Sequence, residues 1–176
     1  VEPDSPALMT GLENQSRLHI LGESTAGIGA EYAVLPQRNL LKMPDEAGYQ
    51  EAAAAGLVYV TAWHSLMTRG GLRAGETVLV VGGGGGVNSA SIQIAKRAGA
   101  TVYVVGSNAV KCAEAQALGA DVTINREETP DWSKAVYQLT GKQGVDVVVD
   151  NVGAATFMSS VRCARIGGRI LVVGNT

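Results

Sequence analysis

The sequence predicts an α/β chain built on a doubly wound parallel sheet. Three observations carry this. From Thr77 onward, apolar strand-like runs alternate with helix-like segments. The runs, such as "VDVVVD" (Val145 to Asp150), are continuously apolar, as strands buried on both faces are. Gly99, Gly119 and Gly167 stand where helix C-terminal caps belong. Strand–helix units joined by right-handed crossovers build such a sheet, which binds ligands at the carboxyl ends of its strands.

Residues 1–16, "VEPDSPALMTGLENQS", show no period and read as irregular. Ala30 to Pro36 and Asn39 to Pro44 read as short strands, each ended by a proline. Asp45 is placed to cap a helix with Glu46 in its first turn. Alanines between Glu51 and Ala55 support that helix, Gly56 interrupts it, and Gly70-Gly71 stops it. Strands then follow at Val78–Val81, Thr101–Val105, Val122–Asn125, Val145–Asp150 and Arg169–Val173. Helices fall between them at Val87–Ala98, Ala109–Leu118, Trp132–Thr140 and Ala154–Ala164. The last strand-like run stops almost at residue 176, so the sequence reads as a piece of a longer protein.

Composition narrows the function classes. The chain has 176 residues, net charge −2 and no Lys/Arg cluster, which argues against a nucleic-acid partner. No apolar run approaches the roughly 20 residues of a membrane helix, and no secretory leader pattern is visible. Cys112 and Cys163 are the only cysteines, without metal-ligand spacing, which suggests a reducing, cytoplasmic compartment.

The five glycines Gly82 to Gly86 lie between a strand and a helix. Glycine at such a turn makes the bend, lets backbone approach a pyrophosphate, and lets the helix pack closely. The best register is Gly83-x-Gly85-x-x-Asn88, with Asn88 in place of the third glycine. Small residues Ala90, Ser91 and Ala98 on the inner helix face preserve close packing. Amides near Gly86, Val87 and Asn88 would meet a phosphate at the positive end of the helix. The strand–turn–helix context points to a nucleotide. An NAD site usually places an acid about 20 residues on. No acid occurs between Gly82 and Ala113; Gly106 and Ser107 leave room, and Lys111 can approach a 2′-phosphate. This favours NADP over NAD.

Several stretches together resemble the medium-chain dehydrogenase/reductase superfamily, in its quinone oxidoreductase and zinc-type alcohol dehydrogenase branches. They are "GAEYAVLP" with "NLLKMP", "EAAAAGLVYVTAWHSL", "LRAGETVLVVGGGGGVNSASIQIAKRAGA", "LGADVTIN", "GVDVVVDNVG" and "GGRILVVG". The resemblance covers about residues 22 to 176. It implies residues 1–45 as the end of a GroES-like catalytic domain and residues 46–176 as a Rossmann domain lacking its last strand. Arg169–Val173 would then be an apolar sheet edge, open to pairing in a homo-oligomer. The implied activity is hydride transfer to or from a carbonyl, enone, quinone or alcohol, with this chain supplying cofactor binding. A non-catalytic dinucleotide-binding module is the alternative.

The departures concern zinc. Zinc-dependent relatives carry a cysteine-rich lobe before the "LGE" segment, which here contains no cysteine. Ser16 stands about where its last cysteine would be, and Ala54 near a catalytic zinc ligand. His19, His64, Cys112 and Cys163 are scattered, so no zinc is expected in this chain. By resemblance, Val58 and Thr61 lie near the nicotinamide end, with helix packing as their bland alternative. Gly83, Gly85, Gly86, Val87 and Asn88 hold the pyrophosphate. Gly106, Ser107 and Lys111 surround the adenosine ribose. Asn151 and Val152, with Gly174, Asn175 and Thr176, flank the nicotinamide face. His64 reads as a packing or surface residue rather than a proton donor. Asp150 reads as a strand-end turn acceptor rather than a general base.

Overall fold

The computed structural model describes residues 21–23 and 25–174. The chain divides into two units, Val1–Ala47 and Gly48–Thr176. In the first, the expected strands at 30–36 and 39–44 do not form. Leu40 is extended (φ −109°, ψ 130°), but a short 3₁₀ turn, Gln37–Asn39, separates the two runs. Neither run pairs with another strand among the described residues. Extended backbone becomes a strand only when a neighbour takes its hydrogen bonds, and the prolines offer no N–H. Asp45 caps no helix; it pairs with Lys42 at 3.0 Å.

The second unit opens with α1 (Tyr49–Trp63), whose N-cap is Gly48. Glu51 accepts from the Gly48 amide at 3.0 Å, which satisfies one free N–H of the first turn. Gly56 does not interrupt α1. A helical glycine costs only about 1 kcal/mol, and the alanine-rich flank absorbs it. The helix runs on as a π-helical stretch, His64–Arg69, which Gly70 and Gly71 end.

Five strands and four helices follow: β1 (Thr77–Val81), α2 (Gly86–Arg97), β2 (Thr101–Gly106), α3 (Ala109–Ala117), β3 (Val122–Asn125), α4 (Trp132–Leu139), β4 (Val145–Asp150), α5 (Phe157–Cys163) and β5 (Ala164–Val172). All pairings are parallel, in the order β3-β2-β1-β4-β5. This is the Rossmann order, and its direction reverses beside β1, where such sheets bind ligands.

The continuous apolar runs serve two cores. Val78, Val80, Val102 and Val104 pack under α1 and α2 with Ala62, Leu66, Ala90 and Ile92. Leu79, Val81, Tyr103 and Val105 pack on the other face with Trp132, Val136 and Cys163. Alternate residues of each strand thus feed opposite layers, so neither face tolerates polarity.

Two boundaries moved for identifiable reasons. The α5 helix begins at Phe157, not Ala154. Gly153 takes a positive φ of 84°, and its carbonyl accepts from the Thr156 and Phe157 amides, so a turn occupies the expected first helical turn. The β5 strand begins at Ala164, five residues before the expected Arg169, because Ala164 pairs with Val145. The register shifts before the Val147–Arg169 pair. Gly167 (φ +76°) therefore lies within irregular β5 and is no helix cap. Gly99 and Gly119 do follow helix ends with positive φ. Among the described residues β5 is a sheet edge, with Ile166 and Val172 exposed.

Small residues let α2 sit close to the sheet: Ala90, Ser91 and Ala95 are fully buried. The Ser91 hydroxyl finds no hydrogen-bond partner. A buried hydroxyl without a partner is costly, and alanine is the better helix former. Ser91→Ala is therefore expected to be neutral or stabilising by about 1 kcal/mol in urea unfolding. A clear loss of stability would show that the hydroxyl has a partner.

Candidate functional site

The β1 strand ends at Val81, and the chain turns at Gly82 (φ +103°), whose amide donates to the Val105 carbonyl at 2.9 Å. Gly85 (φ +99°, ψ 147°) is the N-cap of α2 and offers no side chain to its first amides. The N–H groups of Gly86, Val87 and Asn88 open that helix without helical partners.

Close approach requires glycine at positions 83 and 86 and crowds position 84. A Cβ on Gly83 would lie 3.0 Å from the Lys111 carbonyl oxygen and 3.1 Å from Gly106 Cα. One on Gly84 would lie 3.2 Å from Lys111 Cδ and Cε. One on Gly86 would meet Val58 Cγ1 at 2.7 Å. A cavity of about 250 Å³ opens beside this turn, lined among others by Gly82, Gly83, Gly84, Ser107, Lys111 and Arg126.

The expected site residues converge unevenly. Gly83, Gly85, Gly86, Val87 and Asn88 form the turn and first helical turn, with Gly106, Ser107 and Lys111 directly across. The Lys111 amide is held by the Asn108 cap at 3.0 Å, and its ammonium pairs with Glu114 at 2.8 Å. Val152 lines the same cavity from the loop after β4. Val58 touches the turn at Gly86 but does not line the cavity. The Thr61 hydroxyl donates to the Leu57 carbonyl of its own helix at 3.0 Å. Gly174 follows β5 with φ +80° and stands apart from the cavity lining. Asn175, Thr176, Ser16 and His19 lie outside the described residues.

Two neighbours were not expected. Arg126 follows β3 and brings a second cation to the cavity. Its signal was its place just after a strand's carboxyl end. The second is the reach of Asn88. Its side chain is 4% exposed, and its Nδ2 donates to the Gly82 carbonyl at 2.7 Å and lies 3.3 Å from those of Val81 and Gly84. Its Oδ1 accepts from Asn151 Nδ2. The residue that breaks the glycine pattern thus binds the turn together from beneath.

Asp150 is fully buried at the end of β4. Its carboxylate accepts from Val152 N (2.9 Å), Gly153 N (3.1 Å), Thr156 Oγ1 (2.9 Å) and Ser160 Oγ (2.6 Å). Burial opposes its charge, yet these donations outweigh burial and hold its pKa below the ordinary carboxylate value. That is a turn acceptor's environment.

Among the described residues no group of three or more His, Cys, Asp and Glu is placed to hold a metal. Cys112 packs against Gly106. Cys163 lies in the core on the α4 side, and burial pushes its thiol up to about 12. These residues do not fit a zinc ion.

A doubly wound sheet with a glycine turn at its switch point defines a dinucleotide-binding domain. The model of the zinc-binding dehydrogenase family matches residues 86–176, and the chain belongs to that family. It is 35% identical over 156 residues to a zinc-type alcohol dehydrogenase-like protein of Schizosaccharomyces pombe, covering 88% of this chain and 45% of the relative. A crystal structure of an NAD-dependent alcohol dehydrogenase superposes with TM-score 0.88 at 42% identity, over 96% of this chain and 49% of that one. A mycobacterial protein complexed with NADPH superposes with TM-score 0.70 at 35% identity, over 76% of this chain and 41% of that one. The chain thus spans about half the length of such relatives.

Proposed function

We propose that this chain is the cofactor-binding part of an NAD(P)H-dependent oxidoreductase. The observation that carries the reading is the Gly82–Gly86 turn at the sheet's switch point, which leads into the α2 N-terminus and whose Gly82, Gly83 and Gly84 share one cavity with Lys111 and Arg126. The backbone of Gly83, Gly85, Gly86, Val87 and Asn88 would hold the pyrophosphate, because Gly83 and Gly86 have no room for a Cβ, Gly85 takes a positive φ, and α2 presents free amides. Gly106, Ser107 and Lys111 would surround the adenosine ribose. Asn151 and Val152 would lie toward the nicotinamide, with Val58 and Thr61 on α1 and Gly174 and Asn175 after β5. When bound, the nicotinamide exchanges a hydride with a carbonyl, enone, quinone or alcohol carbon. This chain's part is to bind and orient it. Residues 1–45 are read as the end of a GroES-like catalytic domain, and the β5 edge as a pairing surface for a second copy. Two unpaired thiols support a cytoplasmic setting.

NADP is preferred over NAD because no acid stands between Gly82 and Ala113, while Lys111, paired with Glu114, and Arg126 border the cavity. Titration of the chain with NADPH and NADH by calorimetry tests this. NADPH is expected to bind several-fold tighter. Lys111→Ala is expected to weaken NADPH about tenfold and leave NADH unchanged. Tighter NADH binding removes the preference. No binding of either at millimolar concentration removes the reading. NADPH consumption with a quinone and enone panel separates hydride transfer from binding alone.

A further inference from the structure

We infer that Asn88 and Asn151 form a latch that sets the glycine turn from the loop after β4, making both positioning residues for the dinucleotide. This rests on the reading of the site above. The latch spans three segments: the turn after β1, the first turn of α2, and the exit of β4.

Its orientation is forced. Three carbonyl oxygens, of Val81, Gly82 and Gly84, face one atom of the Asn88 carboxamide. Only Nδ2 can sit among acceptors. The Asn88 Oδ1 must then face Asn151, and Asn151 must answer with its own Nδ2. That leaves Asn151 Oδ1 buried and without a partner. A free choice would not leave an acceptor so placed, because burial without a bond is costly. The carbonyls of the turn, Asn88 and Asn151 thus form one line of bonds, anchored at a side chain 63 residues from Asn88.

The effect on the turn follows from peptide geometry. No peptide bond among the described residues is cis. In a trans peptide the N–H points opposite to the preceding C=O. Drawing the Gly82 and Gly84 carbonyls down to Asn88 therefore turns the Gly83 and Gly85 N–H groups away from it. There they would add to the free amides of the α2 N-terminus in meeting an anion. A glycine at position 88 could not do this. The departure from the glycine pattern replaces closeness of the helix with a side-chain tie.

A double-mutant cycle on the full chain tests the latch: Asn88→Ala, Asn151→Ala and the pair, each titrated with NADPH and with adenosine 2′-monophosphate. The second probe carries no pyrophosphate and needs only the Gly106–Lys111 side. Each single variant is expected to weaken NADPH about tenfold, to leave adenosine 2′-monophosphate unchanged, and to be little worsened by the other. Independent losses, unchanged NADPH binding, or equal weakening of both probes would overturn the latch. Should Asn88→Ala fail to fold, Asn151→Ala decides alone, since it removes only the bond that anchors Asn88 to the loop after β4. A wild-type chain that binds neither NADPH nor NADH removes site and latch together. Wild-type binding with unaffected variants removes the latch only.

Discussion

Asp150→Ala is expected to lower the unfolding free energy by about 2 kcal/mol or more, read by urea denaturation. The carboxylate is fully buried and gathers the amides of Val152 and Gly153 and the hydroxyls of Thr156 and Ser160. The hydroxyls can rotate toward other partners; the amides cannot. Each buried donor left alone costs about 1–3 kcal/mol, a large share of the roughly 5–15 kcal/mol that holds a domain folded. Asp150→Asn should cost less, because the amide oxygen keeps some donors and Ser160 can turn to accept. The sign with pH is fixed by the lowered pKa. The unfolded carboxyl titrates near about 3.9. The stabilisation is therefore fully present above that value and is lost as pH falls through the lower, folded pKa. Asp121 and Asp146 are also lowered, by bonds from Lys96 and the Val102 amide and from Thr77, against opposing burial. Asp150→Asn should accordingly weaken the acid-unfolding limb below about pH 4 without abolishing it. An acid limb identical to wild type would show that the carboxylate gains nothing from its partners.

The second large effect falls on the turn itself. Gly83→Ala is expected to weaken NADPH binding at least about a hundredfold. The added methyl would meet the Lys111 carbonyl oxygen and Gly106 Cα, both backbone atoms, so α3 or β2 must move. Gly85→Ala makes the contrast. No heavy atom lies within 4 Å of its added Cβ, so only its backbone (φ +99°, ψ 147°) is strained. Strain of that kind costs about 1–3 kcal/mol. Calorimetry with NADPH, beside urea unfolding of both variants, separates closure of the cradle from loss of fold. Undiminished affinity in Gly83→Ala would mean that the turn does not hold the phosphates.

Much of this was legible in the sequence. The strands were visible because residues such as Val78 to Val81 must be apolar on both faces. The glycine turn was visible because strand, turn and helix are adjacent. What failed needed contacts across the chain. The runs at 30–36 and 39–44 have strand-like residues, but no sequence pattern says whether a partner will pair with them. The start of β5 depends on Val145, and the start of α5 on the turn that Gly153 makes below Asp150. Asn88 read as a mere departure, because its partner Asn151 is distant in the chain. Arg126 stands directly after β3, but only the fold shows that β3 lies beside β2 and brings it to the cavity.

The joint between β1 and β4 has a kinetic meaning. The sheet's other pairings join strands consecutive in the chain, whereas Thr77 and Asp146 meet across 69 residues. There the Thr77 amide and hydroxyl donate to the Asp146 carboxylate at 2.8 and 2.7 Å, and the Asp146 amide donates back to the hydroxyl at 3.0 Å. Closing so long a loop is the slow, entropically opposed event in folding a parallel sheet. The β1-β2-β3 half can assemble from local contacts, as can the β4-β5 pair. Their meeting at this clamp completes the cavity, which Gly82, Lys111 and Arg126 line from one half and Val152 and Thr156 from the other.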